Sequence, residues 1–268
     1  MKIGVYGNMI IDSHTHVYPA KVASRAVESI GRFYDLPMAL DGTVGTLLST
    51  ADSAGVDRCL VCSAAIDGMH VHSVNEFLIK TVQSHKDRLI GFGTLHPDMS
   101  DPEAEFRYIL DHGMKGIKLH PDMQRFALED PATDIIFSLC EGICPILIHT
   151  GDKRYHYSNP SQIPSILKRH RNLQLICAHF GGYSEWDEAT ACLADTGVFV
   201  DCSSSFFAMS HDRIEKMIRF YGEDHVLFGS DYPMWNMNDE LKTLRTINLS
   251  ETAFRKITGE NLKALLHL

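Results

Sequence analysis

No stretch of this 268-residue chain is long and apolar enough to cross a bilayer as a helix, and nowhere do Lys or Arg gather into a run. A spanning helix needs about 20 consecutive apolar residues, so none is expected. Against 25 Lys and Arg stand 34 Asp and Glu, a formal net charge of −9 that would repel phosphate backbones and anionic lipid surfaces. Neither nucleic acid nor a membrane is an expected partner; a small polar molecule is. Near the start, Gly4, Gly7 and Asn8 interrupt the apolar stretch that a secretory leader would need. Met9 is an alternative start, with residues 1–8 an added strand or an extension. An even-numbered disulfide framework is missing too: the seven Cys sit mostly in apolar company, as in Val61-Cys62, Ile176-Cys177 and Ala191-Cys192, where thiols behave as small core residues. Cys59-Leu-Val-Cys62 has the spacing of a metal or redox pair, but on a strand residues i and i+3 face opposite sides and cannot hold one ion. The expectation is a cytoplasmic protein in a reducing compartment.

Internal repeats, linkers and low-complexity tracts are also absent, so residues 1–268 are expected to form a single α/β domain. Strand-like runs at 9–13, 58–63, 89–95, 116–119, 145–149, 173–178, 198–201 and 226–229 alternate with amphipathic stretches at 43–54, 70–85, 101–112, 133–141, 162–170, 185–196, 211–221 and 237–246. Such alternation marks repeated βα units, and eight strands are what a closed parallel barrel requires. Asp101-Pro102, Asp130-Pro131 and Ser161 read as helix starts, Gly113, Gly142, Gly197 and Gly222 as stops, and 250–268 as a terminal helical cap. Two long connections, 17–42 and 151–160, leave the same end of the barrel and are expected to shape access to it.

What the chain has in abundance is histidine, 15 in all, and several sit where chemistry is done. Five apolar runs end in polar groups able to hold a metal or a substrate: Ile-Asp-Ser-His14-Thr-His16, Gly-Ile-Lys118-Leu-His120, Leu-Ile-His149, Cys-Ala-His179-Phe-Gly-Gly and Phe-Gly-Ser-Asp231-Tyr-Pro. In a parallel barrel all such ends converge on one mouth. His14 and His16, at i and i+2, can present two imidazoles to one ion. His149 and His179 each terminate a strand too apolar to leave an imidazole unpartnered. Asp231 beside a hydrophobic strand would cost several kcal/mol uncompensated, a cost that a cation removes. Lys118 among imidazoles either binds an anionic substrate group or loses its charge and becomes a ligand, for example as a carbamate. In 151–160, Asp152, Lys153, Arg154, Tyr155 and His156 suit a substrate bearing a carboxylate.

Taken in order, these motifs resemble the amidohydrolase superfamily, and within it the second amidohydrolase family, which includes metal-dependent decarboxylases of the aminocarboxymuconate-semialdehyde type. The resemblance runs from Ile11-Asp-Ser-His-Thr-His to Gly259-Glu-Asn-Leu. It implies a distorted (β/α)8 TIM barrel with His14, His16, His149 and Asp231 as ligands of a divalent metal, zinc by expectation, and His179 as a second-site ligand or a catalytic group. Gly116-Ile-Lys118-Leu-His-Pro is similar to the strand that carries a carboxylated, bridging lysine in two-metal members, so one or two ions are implied. A homodimer is the default expectation for such enzymes.

The leading expectation is hydrolysis of a small, carboxylate-bearing amide, lactone or other ester by metal-activated water. Asp231 would take and return the proton, His179 and His120 would stabilise the oxyanion or orient the substrate, and Arg154 and Tyr155 would bind it. The second is non-oxidative decarboxylation on the same ligands. A non-catalytic metal-binding barrel comes third.

Overall fold

In the computed structural model, which describes residues 9–268, eight parallel strands follow one another in chain order around a barrel. Residues 1–8, and with them the reading of an added strand, lie outside the described residues. The strands are β1 (Ile11–His16), β2 (Arg58–Cys62), β3 (Leu89–Thr94), β4 (Gly116–Leu119), β5 (Ile146–Ile148), β6 (Leu175–Cys177), β7 (Phe199–Asp201) and β8 (Val226–Leu227). Each pairs only with its neighbours, which is what connections through helices on the outside produce. No helix is long and apolar enough to cross a membrane among the described residues.

Alternation along the strands sorts the apolar side chains into two layers. Ile11, Leu60, Ile90, Phe92, Leu147, Ile176 and Leu227 point inward and fill the barrel's lower half. Its floor is closed by Leu262, Leu265 and Leu266 of the terminal helix α12 (Asn261–Leu266). Outward-facing residues such as Val61, Leu89, Ile117, Ile146 and Val200 pack under the surrounding helices.

These helices are α2 (Val44–Ala54), α3 (Val71–Ser84), α4 (Pro102–Asp111), α6 (Asp134–Cys140), α7 (Ile163–Arg169), α8 (Trp186–Cys192), α9 (His211–Tyr221) and α10 (Met237–Thr246), with α11 (Glu251–Arg255) leading to α12. Capping explains several starts: Asp101 accepts from Ala104 N–H at 2.9 Å ahead of Pro102, while Thr43, Ser210 and Ser250 cap α2, α9 and α11. Strands 5, 6 and 8 are shorter than their apolar patterns, because the polar site takes over their last residues, and helix α8 ends at Cys192, short of its pattern.

The clearest departure is in 17–42. A long loop on the sequence, it contains the 12-residue helix α1 (Ala23–Tyr34). Only Ala23 of α1 is buried, and no side chain caps its start. Val22, Arg25, Ala26, Ser29, Ile30 and Tyr34 face a cavity rather than a packed core, while Ala23, Ala26, Val27, Ile30 and Phe33 recur at amphipathic-helix spacing. A one-turn helix, α5 (Pro121–Gln124), likewise follows β4 without a sequence signal beyond Pro121.

Closure is irregular. β8 and β1 share no ladder; Ser13 N–H bonds Phe228 O at 2.8 Å, His16 N–H bonds Tyr232 O at 2.6 Å and Asp231 N–H bonds His14 O at 2.8 Å. On its other side, β1 slips in register against β2 between Asp12 and Thr15. Asp12 Oδ1 holds the slip, accepting from His14 N–H at 3.1 Å and from Ser230 N–H at 3.0 Å.

Candidate metal centre

The seam and the strand ends around it carry the polar groups. His179, Phe180, Ser204 and Asp231 all adopt positive φ, at 60°, 49°, 46° and 59°. Left-handed backbone is costly for residues other than glycine and persists where surrounding structure enforces it. Here it turns the chain sharply inward after β6, β7 and β8. Close approach matters as well: a Cβ on Gly151 would sit 2.7 Å from Gly182 Cα, so the connection after β5 meets the one after β6 only because position 151 is glycine.

His14, His16 and Asp231 meet across the seam. The two Nε2 atoms are 3.1 Å apart, and Asp231 Oδ1 lies 3.6 Å from the first and 3.4 Å from the second. His14 Nδ1 donates to the Oδ2 of Asp201 at 3.0 Å, which leaves the Nε2 lone pair facing inward. His179 Nδ1 donates to Ser203 O at 3.0 Å, so its Nε2 also points inward, 3.0 Å from His149 Nδ1. Lys118 Nζ sits 3.0 Å from His14 Nε2 and makes no ion pair among the described residues. Burial lowers the Lys118 ammonium's pKa, against the pull of Asp231 and Asp201.

Burial also lowers His14, to about 4, and takes His120, His149 and His179 below the ordinary imidazole range. These rings are neutral at pH 7, the form that binds metals. His16 moves the other way: burial pulls it down, but Cys62 and Asp231 beside it push it up to about 9. Asp231 and Asp201 are each raised by burial, but their imidazole neighbours outweigh that effect and hold both carboxyls well below the usual range. The neutral His14 and ionised Asp201 therefore form a charge-assisted pair.

Imidazole lone pairs that face one another at about 3 Å need something between them. Ligands roughly 2.1 Å from one ion lie about 3.0 to 3.4 Å apart, the spacing seen for His14–His16 and His16–Asp231, with His14–Asp231 slightly wider at 3.6 Å. The nitrogen-rich set with one carboxylate fits a divalent metal. Sets able to hold an ion also include His14, His179 and Asp201, and His14, His16 and Cys62.

A cavity of about 560 Å³ has His14, His16, Lys118, His120, His149, His179 and Asp231 at its base. Above them the wall is largely apolar and aromatic, including Tyr18, Ala26, Ile30, Tyr34, Met123 and Met234, with Arg25 and His70 near the mouth. His120 stacks on His149 with ring centroids 4.1 Å apart. Its Nδ1 accepts from Met123 N–H, so its Nε2 donates to Tyr34 Oη at 2.7 Å and frees the phenol hydrogen for the cavity.

The structure does not bring Arg154 and Tyr155 to the cavity. Arg154 grips Asp152 through Nε and Nη2, at 2.9 and 2.6 Å, and Phe33 O through Nη1 at 2.5 Å. Its guanidinium lies over Phe33, Tyr34 and Tyr155, and Tyr155 stacks on Phe33 at 5.4 Å. A cation already paired with a buried carboxylate is not free for a substrate; both residues fasten α1 to the connection after β5. Cys62, set aside because it cannot chelate with Cys59, nevertheless reaches His16 Nδ1 at 3.7 Å.

Sequence reasoning missed Asp201, although Val198-Phe-Val-Asp201 carries the same signal as the others, an apolar run ending in a polar group. It also missed Ser203, Ser204 and Tyr34, for which no local pattern speaks. Asp122, whose Oδ2 faces the otherwise unpartnered His149 Nε2 at 3.7 Å, was hidden behind Pro121.

A parallel (β/α)8 barrel whose strand ends gather imidazoles and a carboxylate defines a metal-site enzyme scaffold. More narrowly, the chain belongs to the second amidohydrolase family, whose model matches residues 11–268. No curated protein sequence matches it. Solved structures similar to it include 5-carboxyvanillate decarboxylase from Sphingomonas paucimobilis, with 16% identity, a TM-score of 0.74, and 98% of this chain and 100% of that one covered. The 2,6-dihydroxybenzoate decarboxylase from Rhizobium gives 15%, 0.74, 97% and 99%. A dihydroxybenzoic acid decarboxylase from Polaromonas, with bound manganese and the inhibitor 2-nitroresorcinol, gives 14%, 0.73, 97% and 97%. These relatives correct the leading expectation. The chemistry named for them is decarboxylation, so hydrolysis of an amide or lactone gives way to the second expectation.

Proposed function

We propose that this protein is a metal-dependent, non-oxidative decarboxylase of a small hydroxylated aromatic acid. The observation that carries the reading is the cavity: an apolar and aromatic wall suited to a ring stands over a polar base at which Asp231 is the single carboxylate among the described lining residues. The similarity to decarboxylases of hydroxylated benzoic acids supports it.

A divalent ion held by His14, His16 and Asp231, with His149 and His179 facing the same space, would supply a positive seat for the substrate's oxygens. Manganese, bound in the Polaromonas relative among others, and zinc are both candidates. The chain's own residues supply the rest. Tyr34 and His120 orient an oxygen of the ring, and Lys118 offers a further donor at the base. As the carbon–carboxylate bond breaks and carbon dioxide leaves, the electron pair remaining on the ring carbon takes a proton. Asp231, ionised at rest, is placed to take the proton of the substrate's ring hydroxyl and pass it to that carbon; the hydroxyl regains its proton from solvent, so one solvent proton enters the product per turnover. Apolar walls exclude water from the ring and strengthen these interactions. We assign the protein to a reducing cytosol, since its seven cysteines are thiols and six are buried.

The test is incubation of manganese- or zinc-loaded protein with a panel of mono- and dihydroxybenzoic acids in D2O. Carbon dioxide release with one deuterium at the vacated ring position is expected. Inertness toward every acid, with turnover of an amide or lactone, would overturn the reading.

A further inference from the structure

Asp231 does not offer its two oxygens equally. Oδ1 faces His14 and His16, whereas Oδ2 accepts a hydrogen bond from Ser204 Oγ at 2.6 Å. Ser204 Oγ in turn accepts from Trp235 Nε1 at 2.8 Å. A hydroxyl has one hydrogen to give, and the indole donor, which cannot accept, occupies its lone pair. Of its remaining neighbours, Asp231 Oδ2 is a charged acceptor, while Met234 Sδ at 3.5 Å is a weak one. The hydroxyl hydrogen is therefore directed at Asp231. Ser204 is 1% exposed and held at φ 46°, a conformation unfavourable for serine. Trp235 is itself anchored, its ring stacked on Phe207 with centroids 4.9 Å apart.

We infer that Ser204 and Trp235 are positioning residues that lock the rotation of the Asp231 carboxylate, so that Oδ1 alone is presented to the metal and the substrate. Without the lock the carboxylate can turn about its χ2 and offer either oxygen, or both, to the ion. Partners of this kind that orient a ligand typically alter metal affinity about 10- to 100-fold when removed. The inference rests on the metal-centre part of the proposed function and not on the identity of the acid.

The experiment measures manganese and zinc affinity by calorimetry in competition with a chelator, for wild type, Ser204→Ala, Trp235→Phe and the double variant. Trp235→Phe keeps an aromatic ring to stack on Phe207 and removes the N–H donor together with the indole's second ring. Ser204→Ala is expected to weaken binding about tenfold, Trp235→Phe by a smaller factor, and the double variant no further than Ser204→Ala alone. Near-UV circular dichroism checks each fold. Unchanged affinity in a folded Ser204→Ala protein overturns the inference, as do losses that multiply in the double variant. Should Ser204→Ala fail to fold, Trp235→Phe decides: a weakened site upholds the inference and an unaltered one ends it. Absence of turnover on every aromatic acid would instead refute the decarboxylase reading and leave these affinities standing.

Discussion

His14 and Asp201 meet at the barrel mouth with Nδ1 and Oδ2 3.0 Å apart and neither side chain exposed to solvent. Asp201 also accepts from Ser203 N–H at 3.0 Å and His179 N–H at 3.2 Å, so one carboxylate fixes both a histidine tautomer and the turns after β6 and β7. Asp201→Asn retains the shape but not the charge, and its amide can present a donor to His14. Metal affinity is expected to fall about 10- to 100-fold, measured by calorimetry, while the far-UV spectrum stays native.

Asp231→Asn removes the group that carries the proton and one metal donor while preserving volume. The expected loss in kcat for the aromatic acid that wild type turns over is about 10²- to 10⁴-fold. Steady-state kinetics at saturating metal check it; activity within threefold of wild type would dismiss Asp231 as the proton donor.

Glu240 on α10 is pushed up to about 8 by burial, with the charges of Asp12 and Asp231 adding to it, and its Oε2 makes no hydrogen bond among the described residues. Its unfolded value is near 4.5. Between these two values the folded state holds the proton that the unfolded chain has released. Stability must then fall as pH rises through this window. Glu240→Gln cannot ionise, so its melting temperature relative to wild type is expected to rise from pH 5 to pH 8.5, as thermal scans at both would register; a constant difference would remove Glu240 from the account.

Arg154 ties the C-terminal end of α1 to the connection after β5 through Phe33 O and Asp152. Arg154→Met keeps the stem and loses the tie. Hydrogen exchange across α1 is expected to quicken while β1 to β4 keep their protection. Equal protection in α1 would mean that aromatic stacking alone holds the helix.

Leu262, at 2% exposure, closes the barrel floor. Leu262→Ala is expected to cost about 2 to 5 kcal/mol in urea unfolding, with metal affinity nearly unchanged, because the floor and the mouth lie at opposite ends.

How much of this the sequence disclosed follows from where each residue gets its surroundings. β4, α9 and α10 were legible to the residue because apolar period and punctuation are local properties. The histidines and Asp231 were legible because each terminates an apolar run, and barrel geometry brings such ends together. Helix α1 carried the same kind of signal, with Ala23, Ala26, Val27, Ile30 and Phe33 at helical spacing, and was passed over because no side chain caps its start; the residues that fasten it, Arg154 and Tyr155, lie some 120 positions away. Arg154 itself was misjudged for the reverse reason: its charge was visible in sequence, but the buried Asp152 that claims it and the carbonyl it reaches belong to tertiary structure. Ser204 looks like any loop serine until Trp235 and Asp231 close on it from the connection after β8.

The missing ladder between β8 and β1 gives the metal a mechanical meaning. His14 and His16 stand on one side of that joint and Asp231 on the other, and among the described residues the joint itself is held by few backbone bonds. An ion bound by all three would be a clasp across this irregular join in the wall, fastening the first strand to the segment that follows the last. Binding free energy at such a point adds to the cohesion of the whole ring. Loss of the ion would then loosen the entire hoop and not merely empty its site.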